Sequence, residues 1–172
     1  MNIEDLLKDK TRKPKEKTQI ISDWILKNEL PIDELLSVAE NSKDSVKATC
    51  IEAIEYSTKE NPNIAEEIVL DFVFKTINEK APRVIWESAK VIGNIIHLYP
   101  NNIEMAIKNL IVTTEHSGTV VRWSAAYALS EILKLKTNAN KTLLPTIESI
   151  IDKEEKDSIK KIYQKAIKEV LK

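Results

Sequence analysis

A helical pattern that returns at nearly fixed spacing constrains this chain more than any other feature. Val121 is followed by Ala125, Ala128, Leu129, Ile132 and Leu133, offsets of three and four that lay one apolar stripe along a helix. The same pattern begins at Val46 (Cys50, Ala53, Ile54, Ser57, Thr58), at Val84 (Ser88, Val91, Ile92, Ile95, Ile96) and at Ile159 (Tyr163, Ala166, Ile167, Val170, Leu171). Successive starts lie 38, 37 and 38 residues apart. The segments between them repeat too: Pro62-Asn63-Ile64-Ala65-Glu66 returns as Pro100-Asn101-Asn102-Ile103-Glu104. Each reads as a helix start, with Asn at the N-cap and Glu three residues on facing the free amides of the first turn. Pro31 and Pro145 stand near the starts of the first and last intervening helices. The unit is helix, short turn, helix, and its period falls among helical solenoids, whose repeats run roughly 33–47 residues.

The second helix of the unit carries a resemblance. Asp44-Ser45-Val46-Lys47…Ala53-Ile54, Thr119-Val120-Val121-Arg122…Ala128-Leu129 and Asp157-Ser158-Ile159-Lys160…Ala166-Ile167 resemble the Asp-x-Val-Arg…Ala…Leu signature of HEAT repeats. The copy at Val84 departs from it, with Pro82 ahead of the valine and Ile85 in place of the basic residue. The resemblance covers about residues 31–172. It implies an all-α, right-handed α-α superhelix of about four HEAT-like helix pairs, and it says little about activity, because one fold hosts many functions.

Composition agrees with a single array filling all 172 residues. Two glycines and 5% aromatic residues argue against a β-sandwich or a doubly wound sheet. The formal net charge of −1 argues against a general electrostatic attraction to nucleic acid. Cys50 is the one cysteine and lies on its helix's apolar stripe, where a small core residue is the simpler reading than a nucleophile. Internal disulfides are excluded. The amino-terminal stretch is too charged for a signal peptide, and no apolar run approaches the ~20 residues that cross a bilayer. A cytoplasmic location is expected.

Taken in order, residues 1–30 read as a short amphipathic helix at 2–9, a basic connector at 10–17 broken by Pro14, and a capping helix at 18–28. Ile20, Ile21, Trp24 and Ile25 share one face of that cap. Terminal repeats are usually atypical, because their outer face meets water, so Trp24 is expected to close the end of the core. Four repeats follow over about 31–58, 63–97, 101–134 and 140–171. The first helix of the second repeat is the most apolar stretch, through Ile64, Ile68, Val69, Phe72, Val73 and Ile77.

No catalytic set assembles along the chain. His97 and His116 are the only histidines and form no paired metal motif, the glycines are isolated, and no Gly-x-Ser-x-Gly elbow occurs. Neither a metal nor a cofactor is expected.

The informative positions lie beside the apolar stripe of the second helices. In register they form four columns: Lys47, Ile85, Arg122, Lys160; then Ala48, Trp86, Trp123, Lys161; then Glu52, Lys90, Tyr127, Lys165; then Glu55, Gly93, Ser130, Lys168. By the resemblance, second helices line the concave side, so these columns would line a groove running from acidic (Glu52, Glu55) to basic (Lys161, Lys165, Lys168). Trp86 and Trp123 would be neighbours one repeat apart. A single such tryptophan reads more simply as interhelix packing. Two at one repeat position, flanked by Arg122, Tyr127 and Lys90, read as a binding surface, since aromatic and arginine clusters make hot spots.

The expectation is a non-catalytic binding or scaffold module. Its partner would lie across Trp86, Lys90, Arg122, Trp123, Tyr127, Lys161 and Lys165. An acidic peptide or protein surface fits these residues best, and single-stranded nucleic acid comes next, held by stacking and charge. A distant alternative resembles the DNA alkylpurine glycosylases built on HEAT-like repeats, which also place tryptophans on a concave face. Here Trp86 and Trp123 are followed one turn on by Lys90 and Tyr127, not by a carboxylate.

Overall fold

The computed structural model describes residues 1–172, and they form helices and turns without a strand. Ten α-helices follow one another: α1 (Ile3–Lys8), α2 (Pro14–Leu26), α3 (Ile32–Glu40), α4 (Asp44–Glu60), α5 (Glu67–Thr76), α6 (Pro82–Ile95), α7 (Ile103–Thr113), α8 (Thr119–Lys134), α9 (Asn140–Lys153) and α10 (Asp157–Val170). The even-numbered helices pack side by side in chain order, from α2 through α4, α6 and α8 to α10. Each odd-numbered helix lies on the even-numbered helix that follows it. The apolar faces of the two rows meet in one continuous core.

Small residues on the stripe let the even helices approach closely. Ala53, Ala89, Ala125, Ala126 and Ala128 are completely buried. So are Ser57, Ser88 and Ser124, whose hydroxyls bond back to the carbonyls of Ala53, Val84 and Val121 at 2.8, 2.7 and 2.6 Å and so leave no unpaired donor inside. Gly93 is the extreme case. A Cβ there would stand 2.6 Å from Tyr127 Cε2 and 3.1 Å from the Ala128 Cα, so α6 and α8 touch through the space a side chain would need. Cys50 is buried, and burial pushes its thiol up to about 12, which leaves it without nucleophilic character.

Several local expectations are corrected. Pro14 does not break a connector: it opens α2, where its missing N–H and fixed φ suit the first helical turn. The segment 18–28 is accordingly the later part of a longer helix, and α2 joins the even row against α4. Lys17 Nζ reaches back 2.8 Å to the Leu7 carbonyl and ties α1 to it.

The Pro-Asn segments do not cap the helices as expected: α5 is capped at Glu66, and α7 at Asn102 rather than Asn101, with no side-chain cap bond in either. Pro62–Ile64 and Pro100–Asn102 form 3-10 turns, and α5 and α7 begin after them at Glu67 and Ile103. In the first turn it is Asn61 whose side chain accepts from the Asn63 amide, at 3.2 Å. Pro145 lies inside α9 rather than near its start. Ile68 is 45% exposed and leaves the apolar stripe: Ile64 lies in the 3-10 turn, extended backbone at Ala65 and Glu66 follows, and Ile68 falls in the first turn of α5 rather than within one continuous helix. No helix is long and apolar enough to cross a membrane.

Candidate functional site

The four columns do not share one environment. In the first, Lys47 and Arg122 each clamp the acidic residue 32 positions ahead. Lys47 Nζ lies 2.9 Å from Glu79 Oε1, and Arg122 holds Glu154 through Nε and Nη2 at 3.0 and 3.2 Å. The Arg122 Nη1 also donates to the carbonyls of His116 and Ser117. Burial alone would raise the Glu154 carboxyl, but hydrogen bonds from Arg122 and from the Lys156 and Glu155 amides outweigh it, and the net shift is downward. Arg122 thus borders a polar cleft of about 640 Å³ beside the α7–α8 turn and α9, with His116 and Glu154 in its wall. It does not border the cavity that contains Trp123.

The second repeat has Ile85 in this column, and Ile85 is buried. Arg83, two residues earlier, supplies the missing cation in the opposite direction. It reaches back to Glu52 Oε2 at 3.1 Å and to Thr49 Oγ1 at 3.3 Å on α4.

The fourth column is interhelix packing over most of its length. Glu55, Gly93 and Ser130 are buried, and only Lys168 is exposed. Ala48 of the second column is buried as well.

What remains open is a cavity of about 460 Å³ bordered by four successive even helices. Gln19 and Ser22 come from α2, Glu55, Tyr56, Lys59 and Glu60 from α4, Lys90 from α6 and Trp123 from α8. One space can touch four members of a row only where that row curves inward. Trp123 is 40% exposed, and the ring stacked on it is Tyr127, not Trp86: their centroids are 6.2 Å apart and their planes differ by 9°. Residues i and i+4 meet on one helix face, which is why the pair forms within α8.

Tyr127 is held from behind. Its hydroxyl donates to Asn94 Oδ1, and Asn94 Nδ2 donates to the Glu55 carbonyl and to Thr58 Oγ1, each at 3.1 Å. This polar seam joins α8, α6 and α4 below the groove floor. Burial pushes the Tyr127 phenol well above its ordinary range, so it stays a neutral donor.

Trp86 is half-buried against the core and is not a wall of the cavity. Its Nε1 donates to Glu87 Oε1 at 2.8 Å. Glu87 is the residue that the columns missed, because it sits on the apolar side where a carboxylate is not looked for. It is 2% exposed, and desolvation pushes its pKa up to about 7, against the opposing pull of Lys90 and with the help of Glu52 and Glu55. Lys90 Nζ stands 3.6 Å from Glu87 Oε2 and 3.7 Å from Glu55 Oε2, so one ammonium serves two buried carboxyls. The only sign of this in the sequence was the Glu-x-x-Lys spacing of Glu87 and Lys90, which by itself describes an ordinary solvated helix pair. Lys161 and Lys165 on α10 are exposed, in register with Trp123 and Tyr127 one helix further along the row.

No protein-family model and no curated protein matches the sequence. Solved structures do match in shape. A designed armadillo repeat protein in complex with the peptide (KR)4 superposes with a TM-score of 0.74 at 18% identity, over 98% of this chain and 80% of that one. Computationally designed armadillo repeat proteins for modular peptide recognition give 0.75 at 16% identity, over 97% and 80%. The complex of CpcE and CpcF of phycocyanin lyase from Nostoc sp. PCC7120 gives 0.75 at 16% identity, over 96% and 97%. At such identities a likeness establishes architecture alone. The chain is an all-α solenoid of the armadillo/HEAT-like fold.

Proposed function

We propose that this protein is a non-catalytic binding module that holds an extended peptide segment of a protein partner along the even helices. The observation that carries the reading is the single cavity bordered by α2, α4, α6 and α8, with Trp123 exposed in its wall and fixed from behind by Tyr127 and Asn94. A rigid aromatic ring at a concave surface offers apolar contact area at little entropic cost. The designed armadillo proteins of matching shape are described as peptide binders, which supports the same use of the fold here.

Of the residues expected to meet the partner, Trp123 and Lys90 line the cavity, and Tyr127 backs the Trp123 ring. Lys161 and Lys165 extend this surface along α10, whereas Trp86 and Arg122 lie outside the cavity. Nucleic acid is disfavoured, because Lys59 and Lys90 in the cavity wall stand beside Glu55 and Glu60 and leave no excess of positive charge for a phosphate backbone.

Selection of a displayed random peptide library on the folded protein tests the reading. Selected peptides should lose about tenfold or more in affinity on Trp123→Ala. They should keep their affinity on Met105→Ala, a change at an exposed position on α7. Peptides that bind both variants equally would place the binding surface elsewhere. Release of bases from alkylated DNA would make the protein an enzyme and overturn the proposal.

A further inference from the structure

A second cavity, of about 770 Å³, opens at the edge of the array and is bordered by the turn between α2 and α3 and the turn between α4 and α5. Its volume lies in the range of small-ligand clefts, roughly 300–1,000 Å³. Ile25, Leu30, Ile32, Ile64 and Ile68 give it apolar walls. The next gap along the same edge is closed by the chain itself. Tyr99, in the turn between α6 and α7, is half-buried against the core, and its hydroxyl donates to the Ala65 carbonyl at 2.6 Å. Ala65 directly precedes Glu66, which caps α5, and Leu30 directly precedes Pro31, which caps α3. The two carbonyls therefore hold equivalent places in successive repeats. Asn61 precedes Pro62 as Tyr99 precedes Pro100 and is the counterpart of the tyrosine. Its short side chain turns instead onto the Asn63 amide, at 3.2 Å. Leu30 and Ala65 are 6% and 5% exposed, yet only the Ala65 carbonyl has a donor; that of Leu30 accepts no hydrogen bond from the chain. Largely buried carbonyls are nearly always paired, so the cavity holds both the space and the acceptor that Tyr99 fills one repeat later.

From this we infer that the cavity beside Leu30 binds a neutral phenol, with its ring among the isoleucines and its hydroxyl donating to the Leu30 carbonyl. The ring of a tyrosine side chain and that of a free phenolic compound share this chemistry. The apolar walls give the ring area to bury, and the carbonyl fixes its orientation. Asp33 and Glu66 stand in the wall as well and turn away anionic relatives such as a phosphotyrosine. A phenylalanine ring would leave the Leu30 carbonyl without a donor. The cavity shares no residue with the one lined by Trp123, so the two sites stand or fall separately.

Amide NMR spectra of the folded chain follow its titration with p-cresol, with the capped peptide Gly-Gly-Tyr-Gly-Gly, and with the phenylalanine and phosphotyrosine versions of that peptide. Both phenols should shift the amides of residues 28–33 and 61–68 saturably at millimolar concentration. The phenylalanine peptide should bind about fivefold or more weakly, and the phosphotyrosine peptide should not bind. Tighter binding of the tyrosine peptide identifies a protein side chain as the ligand, and equal or tighter binding of p-cresol identifies a free phenol. Asn61→Tyr should set a ring where Tyr99 stands in the next gap, abolish the p-cresol shifts and raise the thermal midpoint. Ile68→Asp lies at an exposed position in the first turn of α5, where a carboxylate suits the helix, and should weaken p-cresol by about fivefold. Trp123→Ala should leave p-cresol binding unchanged.

Equal binding of the tyrosine and phenylalanine peptides, binding of the phosphotyrosine peptide, or the lack of a saturable shift at residues 28–33 would each overturn the inference. So would shifts that vanish on Trp123→Ala, p-cresol binding that is unchanged by Ile68→Asp, or p-cresol binding that persists in Asn61→Tyr. Should Asn61→Tyr fail to fold, because it forfeits the bond to the Asn63 amide, Ile68→Asp and the phenylalanine peptide decide the question. If library peptides bind and are lost on Trp123→Ala while no phenol binds, the groove reading stands and only this site falls.

Discussion

Glu87 is the carboxyl whose chemistry is most altered by the fold. Its carboxyl moves from 4.5 up to about 7 through burial, and the groups facing it are Lys90 on its own helix and Glu52 and Glu55 on α4. The folded chain therefore binds a proton that the unfolded chain releases between those two values. The stability tied to that proton is complete below the ordinary carboxylate value and is lost as pH rises through about 7. Between roughly pH 5 and pH 8 the loss should amount to about 2 kcal/mol. Urea midpoints of wild type and Glu87→Gln at the two pH values measure it, and the variant should show the flatter dependence. Parallel curves would mean that Lys90 keeps Glu87 ionised throughout. Gly93 makes a second residue-level prediction. A Cβ 2.6 Å from the Tyr127 ring and 3.1 Å from the Ala128 backbone must drive α6 from α8, since Asn94 anchors the tyrosine. Gly93→Ala should cost about 2 kcal/mol in chemical denaturation despite the better helix propensity of alanine.

At the scale of helices and turns, α4 and α8 are each joined to the turn ahead of the next even helix by ion pairs at a common offset, Lys47–Glu79 and Arg122–Glu154. Glu154 is nearly enclosed, so removing its partner leaves a carboxylate without its main donor. Arg122→Ala should lower stability by about 2 kcal/mol. The loss should be smaller at low pH. Glu154's folded pKa lies below its ordinary value, so its contribution is present above that value and disappears as pH falls through the folded one. Peptide affinity should be unchanged in this variant, because Arg122 lies outside the groove. A weakened complex with intact stability would return Arg122 to the binding surface. The exit of α8 carries a further test. Lys136 has φ 56, a left-handed conformation that a residue with Cβ adopts at a cost of about 1 kcal/mol. Lys136→Gly should raise the thermal midpoint slightly, and a lowered midpoint would mean that the lysine side chain does more than close the helix.

The whole molecule behaves as a row of neighbours rather than a sphere. The even helices contact chiefly those before and after them, so each inner one is held on two sides and the ends on one. Ala128 lies fully buried in α8, the helix that joins α6 to α10. Ala128→Asp would set a carboxylate where two backbones meet, with no partner within the core. Stability should fall by about 3–5 kcal/mol, and the unfolding curve should broaden as the row divides at α8. A melt within a degree or two of wild type, followed by circular dichroism, would show the register to be wrong. The same geometry explains why the groove depends on curvature: its walls come from α2, α4, α6 and α8, and no two of them alone would enclose it.

The apolar repeat by itself determined the helices, their pairing and the buried stripes through Val84 and Val121, because offsets of three and four along the chain translate directly into one face of a helix; at the ends it overreached, since Val46 is half-buried and Leu171, last of the Ile159 stripe, is 69% exposed. It also placed Trp123 and Tyr127 on a common edge. Other outcomes depended on contacts between residues more than thirty positions apart. Arg122 turned to Glu154, Arg83 replaced the basic residue missing at Ile85, Gly93 received the Tyr127 ring, and Lys90 reached Glu55. Periodicity reports which face of a helix avoids water. It does not report what a polar side chain at the edge of that face meets on the next helix, since that is set by the spacing and curvature of the packed row. Tertiary structure alone therefore decided that Lys90, which the sequence sets at the edge of the groove, stands between two buried carboxyls.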